Sequence, residues 1–85
     1  MDIDECRKEI DEIDSKILRL IGGRFEVCKE IGKIKKENSI SLRDKNRERQ
    51  VIDMQIANNK NLSPDFVRNL FGVIFKESIK LQNDN

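Results

Sequence analysis

Residues 19–26 read RLIGGRFE, two adjacent glycines followed at once by an arginine inside an otherwise helical pattern. Whether the helix stops there decides the fold. The apolar residues around it fall at Ile3, Cys6, Ile10, Ile13, Ile17, Leu20, Val27, Ile31 and Ile34. The steps alternate between three and four, with one gap of seven that position 24 would fill. This is a heptad-like seam, and it keeps its phase across the glycines. Two helices joined by a Gly-Gly turn have no reason to stay in register. The spacing therefore predicts one helix over about residues 3–37, with Arg24 set in its apolar seam. The rival is a tight hairpin at residues 22–23. Two interior glycines cost about 2 kcal/mol relative to alanine, so something else must hold the helix there.

Working outward, Asn38 is placed to stop the first helix, and NSISL at residues 38–42 reads as a loop. A second helix is predicted over about 44–58, followed by the polar linker Asn58-Asn59-Lys60-Asn61. LSPDF then restarts a helix: Ser63 suits the N-cap, Pro64 the first helical position and Asp65 the dipole. That third helix is predicted over about 64–82, with Val67, Leu70, Phe71, Ile74, Ile79 and Leu81 near its apolar side. The expected fold is all-α: a single domain over residues 1–85 with three helices, the first much the longest. A domain this small often draws stability from a partner chain.

Composition narrows the function. Seventeen basic and sixteen acidic residues give a net charge of +1, no general reason to expect nucleic acid or an anionic membrane as partner. No apolar run approaches the length of a membrane span, and the polar, acidic start MDIDECRKEID is no signal peptide. Cys6 and Cys28 would sit ~33 Å apart on one helix, too far to pair. With no histidine in the chain they form no metal-ligand spacing, so no metal is expected. They read as half-buried free thiols in a cytoplasmic protein.

Function should show as polar side chains on faces that the pattern buries. The third helix offers Ser78 and Gln82, four-residue steps beyond Leu70 and Ile74. The second offers Asp44, Arg47 and Glu48 on the face leading to Val51. The first offers Arg24 and, eleven residues on, Lys35 on nearly the same face. Each has an ordinary alternative: a snorkelling or acid-paired cation for Arg24, a helix cap for Asp44, a solvated surface charge for Arg47, Glu48 or Lys35, a half-exposed end for Ser78 and Gln82. Together they suggest a small anion site. Arg24 and Lys35 lie ~16 Å apart along the axis and could hold a small dianion between them. Arg7, ~25 Å from Arg24, cannot share it within one chain. If two long helices cross antiparallel near residue 20, Arg7 of one falls opposite about residue 33 of the other. A symmetric dimer would then build two sites with cations from both chains.

Those residues carry a family resemblance. R-x-x-I-D-x-I-D at 7–14, R-x-x-x-x-x-x-I-G-x-x-K at 24–35, R-D-x-x-R-E at 43–48 and S-x-x-x-Q at 78–82 resemble the all-helical class of chorismate mutase, over about residues 4–82. The R-D-x-x-R-E element is the most specific. The resemblance implies an intertwined antiparallel homodimer and the rearrangement of chorismate to prephenate, for phenylalanine and tyrosine biosynthesis, without a cofactor. It implies that Arg24, and Arg7 from the other chain, bind the substrate carboxylates, and that Lys35 contacts the ether oxygen and a carboxylate. Arg47 would shape the electropositive pocket, with Asp44 and Glu48 near the ring hydroxyl. Ser78 would meet the ring carboxylate, and Gln82 would donate to the ether oxygen. Three other readings stay open on the sequence: an isochorismate–pyruvate lyase of similar fold, a non-catalytic helical interaction module, and a nucleic-acid-binding helical domain using Arg43 to Arg49.

Overall fold

The computed structural model describes residues 1–84. It contains three helices: α1 (Ile3–Glu37), α2 (Lys45–Asn58) and α3 (Pro64–Asn83). No strand occurs among the described residues.

Local chemistry sets the ends. Asp2 caps α1 by accepting from the Glu5 amide at 2.8 Å, and Asp4 and Glu5 place negative charge on its first turn. Lys35 and Lys36 occupy the last turn. Asn38 closes the helix with both its backbone and its side-chain amide donating to the Ile34 carbonyl. Ser39 then takes φ 55°, the left-handed step that turns the chain out of the helix. Asp44 caps α2 through the Arg47 amide at 3.0 Å, and Ser63 caps α3 through the Phe66 amide at 3.0 Å with Pro64 beginning the helix. The helix runs unbroken through Gly22 and Gly23, so the hairpin alternative is excluded.

α3 is the central element. It packs against both α1 and α2, which do not pack against each other among the described residues. A close approach of α1 to α3 occurs at Gly32. A Cβ there would lie 2.9 Å from Cβ and Cγ of Gln82. Within its own chain α1 buries Cys28 and Gly32, a line one residue off the predicted seam. The core is thin: Cys28, Val51, Val67 and Ile74 are its buried apolar residues, with Ser78 and Gln82 buried among them.

The N-terminal half of the seam faces outward. Every residue from 1 to 20 is exposed, and Ile3, Ile10, Ile13, Ile17 and Leu20 retain 46–75% of their surface. The molecule measures 55 × 25 × 15 Å with a radius of gyration of 15.9 Å. A compact chain of this length would have a radius near ~12 Å. The excess is the free N-terminal half of α1, which carries an apolar face that its own chain leaves uncovered.

Candidate active site

The three helices and the 38–44 loop surround one cleft of about 370 Å³. From α1 come Arg24, Cys28, Ile31 and Lys35, at spacings that place them on one side of a helix. The start of α2 supplies Asp44, Arg47, Glu48 and Val51, and α3 supplies Phe75, Ser78, Ile79 and Gln82. Seven of the eight residues singled out in the sequence thus line the same cleft. The eighth, Arg7, does not. It is exposed on the free half of α1, ~25 Å along the helix from Arg24.

Arg24 is held on three sides. Its Nη1 donates to Ser78 Oγ at 3.3 Å and to Cys28 Sγ at 3.6 Å, and its guanidinium lies 5.6 Å from the Phe75 ring centroid. A guanidinium over an aromatic face gains a cation–π attraction and loses rotamer freedom. Ser78 Oγ in turn donates to the Ile74 carbonyl at 2.8 Å and accepts from the Cys28 thiol at 3.6 Å. Its proton is therefore committed, and Ser78 can donate to a ligand only by releasing Ile74. In this state it orients Arg24.

Lys35 Nζ donates to the Leu42 carbonyl at 2.9 Å. The ammonium thereby anchors the loop over the cleft and keeps two further donors. Asp44 is occupied as the α2 cap. Glu48 is paired with Arg43, whose Nη2 lies 3.1 Å from Oε1. Gln82 is 6% exposed, and its Oε1 has no hydrogen-bond partner among the described residues. An unmet buried oxygen costs about 1–3 kcal/mol, so Gln82 has hydrogen-bonding capacity that no described residue uses. The terminal torsion of glutamine is broad, so the same point can be offered either the oxygen or the amide N–H.

The charge balance is one-sided. Among the described residues Arg24, Lys35 and Arg47 form no salt bridge, while the cleft's carboxylates are engaged in a cap and an ion pair. Apolar walls from Val27, Ile31, Val51, Phe75 and Ile79 lower the local dielectric and strengthen these fields. The arrangement suits a compact dianion with a hydroxyl group.

Four contributors were not assigned a role from the sequence. Cys28 was expected to be half-buried like Cys6, but Cys6 is exposed and Cys28 is buried against Arg24. Gly32 permits the α1–α3 approach, Phe75 backs Arg24, and Arg43 pairs with Glu48. No group of three or more His, Cys, Asp or Glu that could hold a metal ion occurs among the described residues. Nor is any described helix long and apolar enough to cross a membrane.

Comparison with known proteins finds matches over most of the chain. The family described as chorismate mutase type II matches residues 6–83. The chorismate mutase of Methanocaldococcus jannaschii is 32% identical over 80 residues, covering 92% of this chain and 81% of that one. The bifunctional chorismate mutase/prephenate dehydratase of Aquifex aeolicus is 38% identical over 61 residues, covering 72% of this chain but 17% of that much longer protein. The solved structure of chorismate mutase (form II) from Thermus thermophilus superposes with a TM-score of 0.91 at 33% identity, covering 95% of this chain and 93% of that one.

Proposed function

The chain belongs to the chorismate mutase type II family, and on that premise we propose that it isomerises chorismate to prephenate in this cleft, with each site completed by Arg7 of a second copy. The observation that supports it best is the convergence of three cations, none in a salt bridge among the described residues, with Glu48, Ser78 and Gln82 on one cleft of about 370 Å³. The step belongs to phenylalanine and tyrosine biosynthesis.

The reaction is a concerted pericyclic shift and asks for no nucleophile. The substrate is a flexible dianion that must fold so that the bond-forming carbons meet. Arg24, braced by Phe75 and Ser78, grips one carboxylate in the fixed fork of a guanidinium. Arg7 of the other copy grips the second, and Arg47 adds positive potential. Holding both ends in the compact conformer contributes orientation. As the carbon–oxygen bond breaks, negative charge grows on the ether oxygen. Lys35 and the Gln82 amide donate to that oxygen, and only the strengthening of these contacts in the transition state accelerates the step. Lys35 also contacts a carboxylate. Glu48, with Asp44 nearby, accepts from the ring hydroxyl, and Ser78 reaches the ring carboxylate once it releases Ile74.

The second copy follows from the uncovered seam. Burying the remaining surface of Ile3, Ile10, Ile13, Ile17 and Leu20 is worth about 1 kcal/mol each, or ~5 kcal/mol per chain. An antiparallel crossing near residue 20 covers these residues and carries Arg7 to the region between Arg24 and Lys35. An intertwined homodimer is the result. A cytoplasmic setting suits its two unpaired thiols.

The test is chorismate depletion with product identification. Prephenate is expected; salicylate and pyruvate would identify a lyase, and no conversion would reject the assignment. Mixing Arg7→Ala with Lys35→Ala chains tests the shared site. Each variant alone is nearly inactive, and the mixture recovers activity because one site of the heterodimer keeps both groups. No recovery after verified subunit exchange rejects the second copy's role.

A further inference from the structure

We infer that Arg43, which does not line the cleft, sets the specificity of the site for a neutral hydroxyl rather than an amine at the ring position that Glu48 reads. The inference rests on the chorismate mutase reading above and concerns a residue to which that reading assigns nothing.

Glu48 stands between two cavities. On one side it lines the catalytic cleft; on the other it lines an outer groove of about 420 Å³ together with Arg43, Gly72, Phe75, Lys76 and Ile79. Its side chain is 18% exposed, so its charge is only partly screened by water. Arg43, 57% exposed, approaches from the outer side and donates from Nη2 to Oε1 at 3.1 Å. It comes from the loop just ahead of the α2 cap, so the pairing also ties that loop to the first turn of the helix. Oε2 has no hydrogen bond among the described residues.

The consequence is electrostatic. Carboxylate and guanidinium together are neutral, so the wall of the cleft offers an acceptor oxygen without a net negative charge. Such an acceptor suits an uncharged hydroxyl. An ammonium at the same ring carbon would meet Arg43 a few ångströms behind the carboxylate, with Arg24, Lys35 and Arg47 also repelling it. Removing Arg43 leaves Glu48 net negative and relieves one of those repulsions. The preference should then shift towards the amine by about tenfold, the scale of a partly screened interaction between unit charges at that range. Arg43 is thus a positioning residue that acts through Glu48.

The experiment measures kcat/KM for chorismate and for its analogue with an amine in place of the ring hydroxyl, using the full-length wild-type chain, Arg43→Gln and Arg43→Lys. If the amine is not turned over, its inhibition constant relative to the KM for chorismate supplies the corresponding ratio for ground-state binding. Arg43→Gln is expected to move the ratio about tenfold towards the amine, and Arg43→Lys, which keeps the charge, to stay within about twofold of wild type. General loosening of the site would slow both substrates alike and leave the ratio still. An unchanged ratio in Arg43→Gln overturns the inference, however far the absolute rates fall. So does an Arg43→Lys ratio that moves as far as that of Arg43→Gln. Failure of the wild type to convert chorismate would instead reject the functional reading itself, and this inference with it. Circular dichroism checks that the variants fold, and Arg43→Ala repeats the measurement with a different side chain.

Discussion

Replacing Gly32 by alanine tests the link between helix packing and chemistry with a single methyl group. A Cβ built on Gly32 lies 2.9 Å from both Cβ and Cγ of Gln82 and 3.0 Å from its Cα. That is about half an ångström inside ordinary contact, and the obstacle includes backbone, so α1 and α3 must move apart. Two terms oppose each other. Alanine in a helix interior gains about 1 kcal/mol over glycine, while an overpacked contact costs about 1–3 kcal/mol. The net expectation is a loss of about 1 kcal/mol, or ~4–8 °C in Tm for a domain of this size. Wild type and variant must be compared at one protein concentration, because association raises the apparent stability. The larger effect falls on catalysis. Gln82 is the residue displaced, and its proposed contact with the ether oxygen strengthens only in the transition state. A shift of this size should lower kcat by about tenfold or more with KM little changed. Continuous chorismate depletion gives both constants. A Gly32→Ala enzyme that gains Tm and keeps its kcat would refute both the close approach and the role given to Gln82.

Lys35→Ala should lower turnover by about a hundredfold or more while removing one loop hydrogen bond worth about 1 kcal/mol; a folded variant with near-normal kcat would remove Lys35 from the chemistry. Gly22→Ala with Gly23→Ala meets nothing within 4 Å in its own chain. Helix propensity alone offers the double variant about 2 kcal/mol, but a crossing of two copies at this point predicts weaker association instead, read by sedimentation on dilution. A gain in Tm with unchanged association would take the glycines out of the interface. Gln82→Leu should raise Tm, because it removes a buried acceptor without a partner worth about 1–3 kcal/mol, and should abolish most activity; loss of both would show that Gln82 is needed for the fold.

What could be read from the sequence follows the range of the forces involved. The helix boundaries rest on local signals: the Asp44 and Ser63 caps, the Asn38 stop and the phase of the seam through Gly22-Gly23. Each needs only neighbours within a turn or two, and the structure places them where the pattern did. The site residues on one helix face were legible for the same reason, since Arg24 and Lys35, or Ser78 and Gln82, are fixed relative to each other by the helix itself. Contacts between elements were not. Cys28 and Gly32 sit one residue off the seam, and only the position of α3 shows that a second line of α1 faces inward. The Arg43–Glu48 pair and the Lys35 bond to the Leu42 carbonyl depend on the path of the loop, which no period encodes. Arg7 was placed by symmetry, and a single chain leaves it on a bare helix.

The two lines on α1 explain why so polar a centre is tolerated. In this chain the core and the cleft share their residues: Cys28, Val51, Ser78 and Gln82 belong to both. Ser78 and Gln82 are polar, and Gln82 carries an orphaned oxygen, so the centre contributes little net stability. A monomer could correct this only by making the centre apolar, and that would remove the groups that hold the ligand. The outward seam allows another solution. In the proposed dimer Ile3, Ile10, Ile13, Ile17 and Leu20 would bury their surface against a second copy, so association would stabilise the fold without restricting which side chains of the C-terminal half face the ligand. On this view stability and chemistry occupy successive halves of one helix, and Arg7 is where they meet: it lies on the half that would associate, and in the proposed dimer its charge acts in the other copy's cleft. Weakening the N-terminal half of the seam should therefore depress activity and stability together, with the same dependence on protein concentration, whereas substitutions on the Arg24–Cys28–Lys35 half should separate them.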